Sequence, residues 1–112
     1  EVRRLLSVEA DRVVICEPIA MEILAGAADD DRHAKLERLV NGVASLRVDD
    51  VVDYRSAAAI YRTARRSGQT IRSLNDCLIA AVAMRHGAGI VHRDVDFEVI
   101  AAITGVDARS FR

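Results

Sequence analysis

Three stretches of this 112-residue sequence carry carboxylates where few charges belong. Glu22 is the only charged residue between Glu17 and Asp29, inside the apolar run PIAMEILAGAA. Asp76 is the only one between Arg72 and Arg85, inside SLNDCLIAAVAM. Asp94 and Asp96 directly follow the apolar segment IVH. A carboxylate lowered into apolar surroundings is costly unless it is paired, protonated or bound to a cation. Several acids drawn together have the oxygen chemistry that suits a hard divalent ion such as Mg2+ or Mn2+. Each acid also has a plainer role taken singly. Ser73 and Asp76 stand at capping-box spacing, Asp94 or Asp96 can cap the helix that follows, and Glu22 can pair with an Arg across an interface.

The elements that must position these acids are legible from local signals. Residues 2–8 read as the end of a helix. Arg12–Cys16 is β-branched and apolar and reads as a short buried strand. Glu17-Pro18 opens a helix to about residue 27, since Pro suits a first turn. Asp29, Asp30 and Asp31 begin an acidic helix start, followed by Leu36, Leu39, Val40 and Val43 at helical spacing. Residues 45–48 form a second strand. Asp50 or Asp53 starts a longer helix with Tyr54, Ala57, Ala58 and Tyr61 expected inside and Arg55, Arg62, Arg65 and Arg66 outside. Ser67-Gly68 breaks it. The segment 73–86 is apolar all round, the mark of a central, buried helix. Ile90-Val91-His92 is a third strand, Asp96 caps a short helix over 97–103, and an extended piece follows Gly105. Carboxyl ends of parallel strands are where such folds bind ligands, which is where Asp94 and Asp96 fall.

Composition narrows the function classes. The chain is 51% hydrophobic and 29% charged, which excludes a disordered segment. A net charge of −1 offers no global positive field for coating nucleic acid. Lys35 is the only lysine, so nearly all positive charge is the planar, permanently ionised guanidinium of Arg. Aromatic residues make up 4%, which argues against a surface built on base stacking. No apolar run reaches the ~20 residues of a membrane span, and no signal segment opens the chain. Cys16 and Cys77 read as buried thiols of a reducing cytoplasm. His33, His86 and His92 lack metal-ligand spacing, and no nucleophile-elbow, Walker or dinucleotide fingerprint is present.

The run CEPIAMEILAG resembles the second acidic motif of the PIN-domain ribonucleases, and RSLNDCLIAAVAMRHGAGIVHRDVDFEVIA resembles their third and fourth motifs with the connecting helix and strand. Order, spacing and flanks are similar to the VapC-like toxins of toxin–antitoxin modules. The resemblance implies an α/β, PIN-like three-layer fold over residues 1–112, with a short, mostly parallel sheet and helices on both faces. The family begins with a strand bearing an Asp in a D-x-S/T setting. The sequence opens at Glu1 within what reads as the following helix, so that strand is expected to be missing and the domain N-terminally incomplete.

What the resemblance implies chemically is a Mg2+- or Mn2+-dependent endoribonuclease toxin that inhibits translation and is neutralised by a cognate antitoxin. Glu22, Asp76 and Asp94 become metal ligands, Asp96 a further ligand or a cap, and Arg72 and Arg93 holders of RNA phosphates. A homodimer, with higher assembly when antitoxin is bound, is expected in the cytoplasm, without membrane attachment. The antitoxin is expected to cover apolar faces around 19–24 and 36–43 and to reach Glu22 or Asp94 with an Arg. A non-catalytic antitoxin-binding module with an incomplete metal site is the alternative. A phosphoacceptor domain would need a late Lys beside the acids, and Lys35 does not supply one.

Overall fold

The computed structural model describes residues 3–8 and 12–110. The first element is a strand, β1 (Arg4–Val8), followed by β2 (Arg12–Cys16). Helices α1 (Glu17–Ala25) and α2 (Asp30–Asn41) lead to β3 (Ser45–Leu46). Helices α3 (Val52–Arg66) and α4 (Leu74–Arg85) lead to β4 (Gly89–His92), and α5 (Asp96–Thr104) leads to β5 (Ala108–Ser110).

The residues 4–8 correct the reading of 2–8 as a helix end; residue 2 lies outside the described residues. Arg and Leu are good helix formers, so local propensity misleads here. The decisive term is pairing. Sheet order is β3-β2-β1-β4-β5, and β1 fills the place between β2 and β4. Leu6 lies opposite both Val14 and Ile90. Without β1, the facing edges of two largely buried strands would lack ladder partners, which is costly for buried backbone. The centre of the sheet is therefore filled by a strand that carries Arg4, not an Asp.

β2 and β3 are parallel, as are β4 and β5, while β1 is antiparallel to both of its neighbours. Four strands thus share one direction and β1 alone runs against them. The antiparallel register places Arg4, at the start of β1, opposite His92, at the carboxyl end of β4. From β2 the chain crosses to one edge of the sheet, and from β4 to the other. With right-handed crossovers, this reversal puts α1 and α2 on one face and α3, α4 and α5 on the other. The carboxyl-end crevice at such a reversal is the natural ligand position.

The core is built from Leu6, Val14, Ile19, Ile79, Ile90 and Phe97, all essentially inaccessible. α4 is buried continuously from Asp76 to Ala83, as its uniformly apolar sequence requires. Two helical faces differ from expectation. α2 has no buried residue, and Leu39 is exposed, because only Val40 and Val43 reach the core. The inner face of α3 is Asp53, Ala57, Ile60 and Ala64, while Tyr54 and Ala58 are exposed. The helix turned this way packs small residues against α4 and gives Asp53 a partner in Arg85. α5 ends at Gly105, whose φ of 77° lets the chain turn toward β5. Among the described residues no helix is long and apolar enough to cross a membrane.

Candidate metal centre

Each acid arrives at the carboxyl edge of the sheet on a different element. α1 continues directly from β2, so Glu22 stands on its second turn, half-buried. Asp76 lies in the first turn of α4 and is 1% exposed. Ser73 caps that helix, its Oγ accepting the Asp76 N–H at 3.4 Å. The carboxylate of Asp76 does not return the bond as a capping box would; it turns inward. Asp94 follows β4, and Asp96 begins α5.

Asp76, Asp94 and Asp96 each offer an oxygen such that these atoms lie within 4.8 Å of one another. Their elements come from sequence positions up to 20 residues apart, so the convergence is tertiary. Glu22 joins them through shared partners. The Arg4 guanidinium donates through Nη1 to Glu22 Oε1, its Nε lies 3.3 Å from Asp76 Oδ1, and its Nη2 lies 3.6 Å from Asp94 Oδ2. Asn75 Nδ2 donates to the other Glu22 oxygen at 2.9 Å. The side chain of Arg4 is largely buried and its guanidinium carbon lies 5.7 Å from the centre of the Phe97 ring.

The electrostatics follow from this crowding. Burial pushes the Asp76 carboxyl up to about 6, against the pull of Arg4, and Asp94, Glu22 and Asp96 add repulsion in the same direction. Asp76 Oδ1 is buried without a hydrogen-bond partner among the described residues. An anion held this way needs positive charge beside it.

The loop after β4 is tied by Asp94. Its Oδ1 accepts the Asp96 N–H at 3.0 Å, so Asp94 serves the amino end of α5. Asp96, expected as the cap, is instead the first residue of that helix and accepts the Arg72 N–H at 3.0 Å. His92 is buried, and its Nδ1 accepts the Asp94 N–H at 3.2 Å. Burial lowers the His92 pKa, consistent with a neutral ring whose Nδ1 has a free lone pair. That ring packs against Phe97, with centroids 5.2 Å apart. His92 is thus a positioning residue within the core.

Of the two candidate phosphate holders, Arg72 stands at the rim, 69% exposed, with Nη2 3.3 Å from Asp94 and Nε 3.5 Å from Asp96. Arg93 is exposed, and its amide donates to the Arg3 carbonyl at 3.0 Å. Sequence reasoning missed Arg4 and Asn75. No local signal marks Arg4, because its place depends on the register of β1. Asn75 could have been flagged as the polar neighbour of Asp76 in an otherwise apolar helix. The thiols match expectation: Cys16 and Cys77 are buried, which pushes them up to about 12 and about 11, respectively.

Comparison with known proteins agrees with this geometry. The model of the PIN domain matches residues 1–103. Ribonuclease VapC11 of Mycobacterium tuberculosis is 70% identical over 112 residues, covering 100% of this chain and 84% of the relative. VapC ribonuclease Mb1587 of Mycobacterium bovis shows the same identity and coverage. A crystal structure from the VapBC family of toxin–antitoxin systems, VapBC-5 of Mycobacterium tuberculosis, superposes with a TM-score of 0.60 at 26% identity. That match covers 88% of this chain and 80% of the other. With three acids gathered at the reversal of its sheet, Glu22 linked to them through Arg4, and relatives this similar, the chain belongs to the PIN-domain family, among its VapC ribonucleases.

Proposed function

We propose that the chain hydrolyses RNA phosphodiester bonds with Mg2+ or Mn2+ held by Glu22, Asp76, Asp94 and Asp96. The observation that carries this reading is the convergence of Asp76, Asp94 and Asp96 within 4.8 Å, around a buried carboxylate oxygen that has Arg4 beside it but no hydrogen bond among the described residues. The donor set fits a hard divalent ion: oxygen ligands only, with anionic charge exceeding what Arg4 neutralises. When bound, such an ion lowers the pKa of water and neutralises charge on the leaving oxygen.

The protein's own groups prepare that chemistry. Burial keeps the Asp76 carboxylate under-solvated, so a divalent cation gains more there than in water. Asn75 orients Glu22, and His92 holds the backbone of Asp94. Arg72, bonded to Asp94 and Asp96 at the exposed rim, can exchange a carboxylate for an RNA phosphate. Arg93 is the second phosphate holder in this reading.

A cognate antitoxin is the protein partner we propose. The half-buried Ile23 and Leu36, with Leu39 exposed beside them, leave an apolar face on α1 and α2 for an amphipathic helix. A cleft of about 440 Å3 lined by Arg4, Ile19, Glu22 and Ile23 opens beside α1 and includes one of the acids. A homodimer is the accompanying proposal, supported by exposed Val51, Val52, Leu74 and Val95.

The test is cleavage of a labelled RNA by Asp76→Asn and Asp94→Asn, with and without chelator. The expected result is a loss of about a hundredfold or more for either variant, with unchanged circular dichroism. A variant that cleaves like the wild type in Mg2+ overturns the reading. Sedimentation and antitoxin pull-down address the two partners.

A further inference from the structure

The centre accounts for chemistry at one phosphate, but not for how a strand of RNA is held there. The exposed side of α3 has the required features. Tyr54, Ala58, Tyr61 and Arg65 recur along one stripe of the helix. Arg55, Arg62 and Arg66 form a second stripe, about 80–100° further round. The buried face lies on the other side of the tyrosines. Asp53 is the only acid of the helix, and it is buried against Arg85, so the outward side of α3 carries no negative charge. Among the described residues none of Arg55, Arg62 and Arg66 forms an ion pair. A chain with net charge −1 has thus gathered unpaired guanidinium groups on one helix.

Both tyrosines of the protein lie on this stripe. Low aromatic content argues against a stacking surface only when the aromatics are scattered. Here Tyr54 is 55% exposed, and Tyr61 is half-buried with the Arg65 guanidinium carbon 5.7 Å from its ring centre. The stripe also points toward the centre. Tyr54 shares a cleft of about 720 Å3 with Met21, Asn75, Asp50 and the Arg47–Glu17 ion pair. Asn75 in turn donates to Glu22.

We propose that α3 is the track for single-stranded RNA, with Tyr54 and Tyr61 as base platforms and Arg55, Arg62 and Arg66 as phosphate contacts. This rests on the reading of the chain as a ribonuclease. The tyrosines are about 10 Å apart along the axis and the arginine stripe spans about 16 Å, a length suited to a few nucleotides. Stacking faces interleaved with cations are what an unpaired strand requires, since each base offers a π-face and each linkage a charge. A strand laid on α3 enters the cleft at Tyr54 and passes Asn75 to the acids.

The test is fluorescence anisotropy with a labelled single-stranded oligoribonucleotide in chelator, where no cleavage occurs, on the full chain. The triple variant Arg55→Gln/Arg62→Gln/Arg66→Gln is expected to weaken binding at least about tenfold and flatten the slope of log K against log salt by about 2. Tyr54→Leu is expected to weaken binding between about fivefold and a hundredfold with the slope unchanged. Cleavage of a dinucleotide, too short to reach along α3, stays at the wild-type rate in the triple variant. Wild-type RNA affinity and salt slope in the triple variant overturn the proposal. So does a triple variant that loses affinity only for an acidic peptide, which makes α3 a protein-docking surface. Failure of the ribonuclease reading looks different: Asp76→Asn then cleaves normally, whatever the anisotropy shows.

Discussion

The Nε of Arg4 faces Asp76 Oδ1 at 3.3 Å, and neither atom makes a hydrogen bond of acceptable geometry among the described residues. The pair is held by position. β1 delivers the guanidinium to the carboxyl edge because it runs against its neighbours, and the same guanidinium also meets Glu22 and Asp94. The centre therefore carries an internal cation where the acids would otherwise hold a divalent ion.

Competition follows from that relationship. Arg4→Gln removes the internal charge and keeps a polar side chain. Mn2+ affinity measured by calorimetry is expected to rise about tenfold or more, in line with removal of a like charge close to the ion. The metal-free variant is expected to melt lower, since the acids then repel one another unscreened. Equal Mn2+ affinity in wild type and variant would show that Arg4 and the cation do not share the centre.

The raised Asp76 carboxyl makes a signed pH prediction for the metal-free protein. Its folded pKa of about 6 exceeds the ordinary 3.8, so the folded state holds the proton more tightly than the unfolded chain. This group's contribution is most favourable below the ordinary value and is lost as pH rises through about 6. Asn mimics the protonated form. Asp76→Asn should match the wild type near pH 4 and exceed it near pH 7 by about 1–2 kcal/mol, allowing for solvent screening. Urea midpoints of both proteins across that range give the difference directly. His92 titrates with the opposite sign, and comparing the two proteins cancels it. A difference that is flat with pH would remove Asp76 from this account.

Asp53 and Arg85 test the scaffold behind the centre. Asp53 is 1% exposed, and it accepts from Arg85 Nε at 2.9 Å and from the Asp49 N–H at 2.8 Å. Burial raises the Asp53 carboxyl, but these bonds outweigh it and hold the pKa below the ordinary value. Arg85 Nη2 also donates to the Arg47 carbonyl at 2.6 Å, tying the loop before α3 to the end of α4. Arg85→Met leaves a buried carboxylate without its cation. A fall of several degrees in Tm is expected at neutral pH, where Asp53 is ionised, and it shrinks as acid protonates that carboxylate. A melting curve insensitive to this substitution would mean that the loop is held by other contacts.

Gly105 offers a local control. Its φ of 77° is strained for any residue with a Cβ, although the space around it is open. Gly105→Ala is expected to cost about 1 kcal/mol and to leave Mn2+ binding unchanged, because Gly105 lies at the opposite end of α5 from Asp96. Differential scanning fluorimetry checks the first part and calorimetry the second. A change in Mn2+ affinity would reveal coupling between the sheet edge and the acids.

Much of this protein was determined by the sequence alone, wherever the controlling physics is local. The strand Arg12–Cys16 follows from β-branched apolar residues. α1 starts at Glu17-Pro18 and α4 behind its Ser73 cap because those signals act within one turn. The acids of the centre were legible for the same reason: a carboxylate in an apolar run is anomalous before any fold is known. Tertiary structure decided what pairing and rotation control. RLLSV is a strand because β2 and β4 need a partner between them, and no helix propensity competes with two ladders. That pairing alone brings Arg4 to Asp76. The outward turn of Tyr54 is set by Asp53 finding Arg85 across α4, a contact 32 residues apart in sequence. α5 starts at Asp96 itself behind Val95, without a side-chain cap: the Asp96 carboxylate is taken by the Arg72 N–H from another element, and Asp94 Oδ1 accepts the Asp96 N–H instead. Local chemistry chose the residues of the centre, and long-range pairing chose which of them face one another.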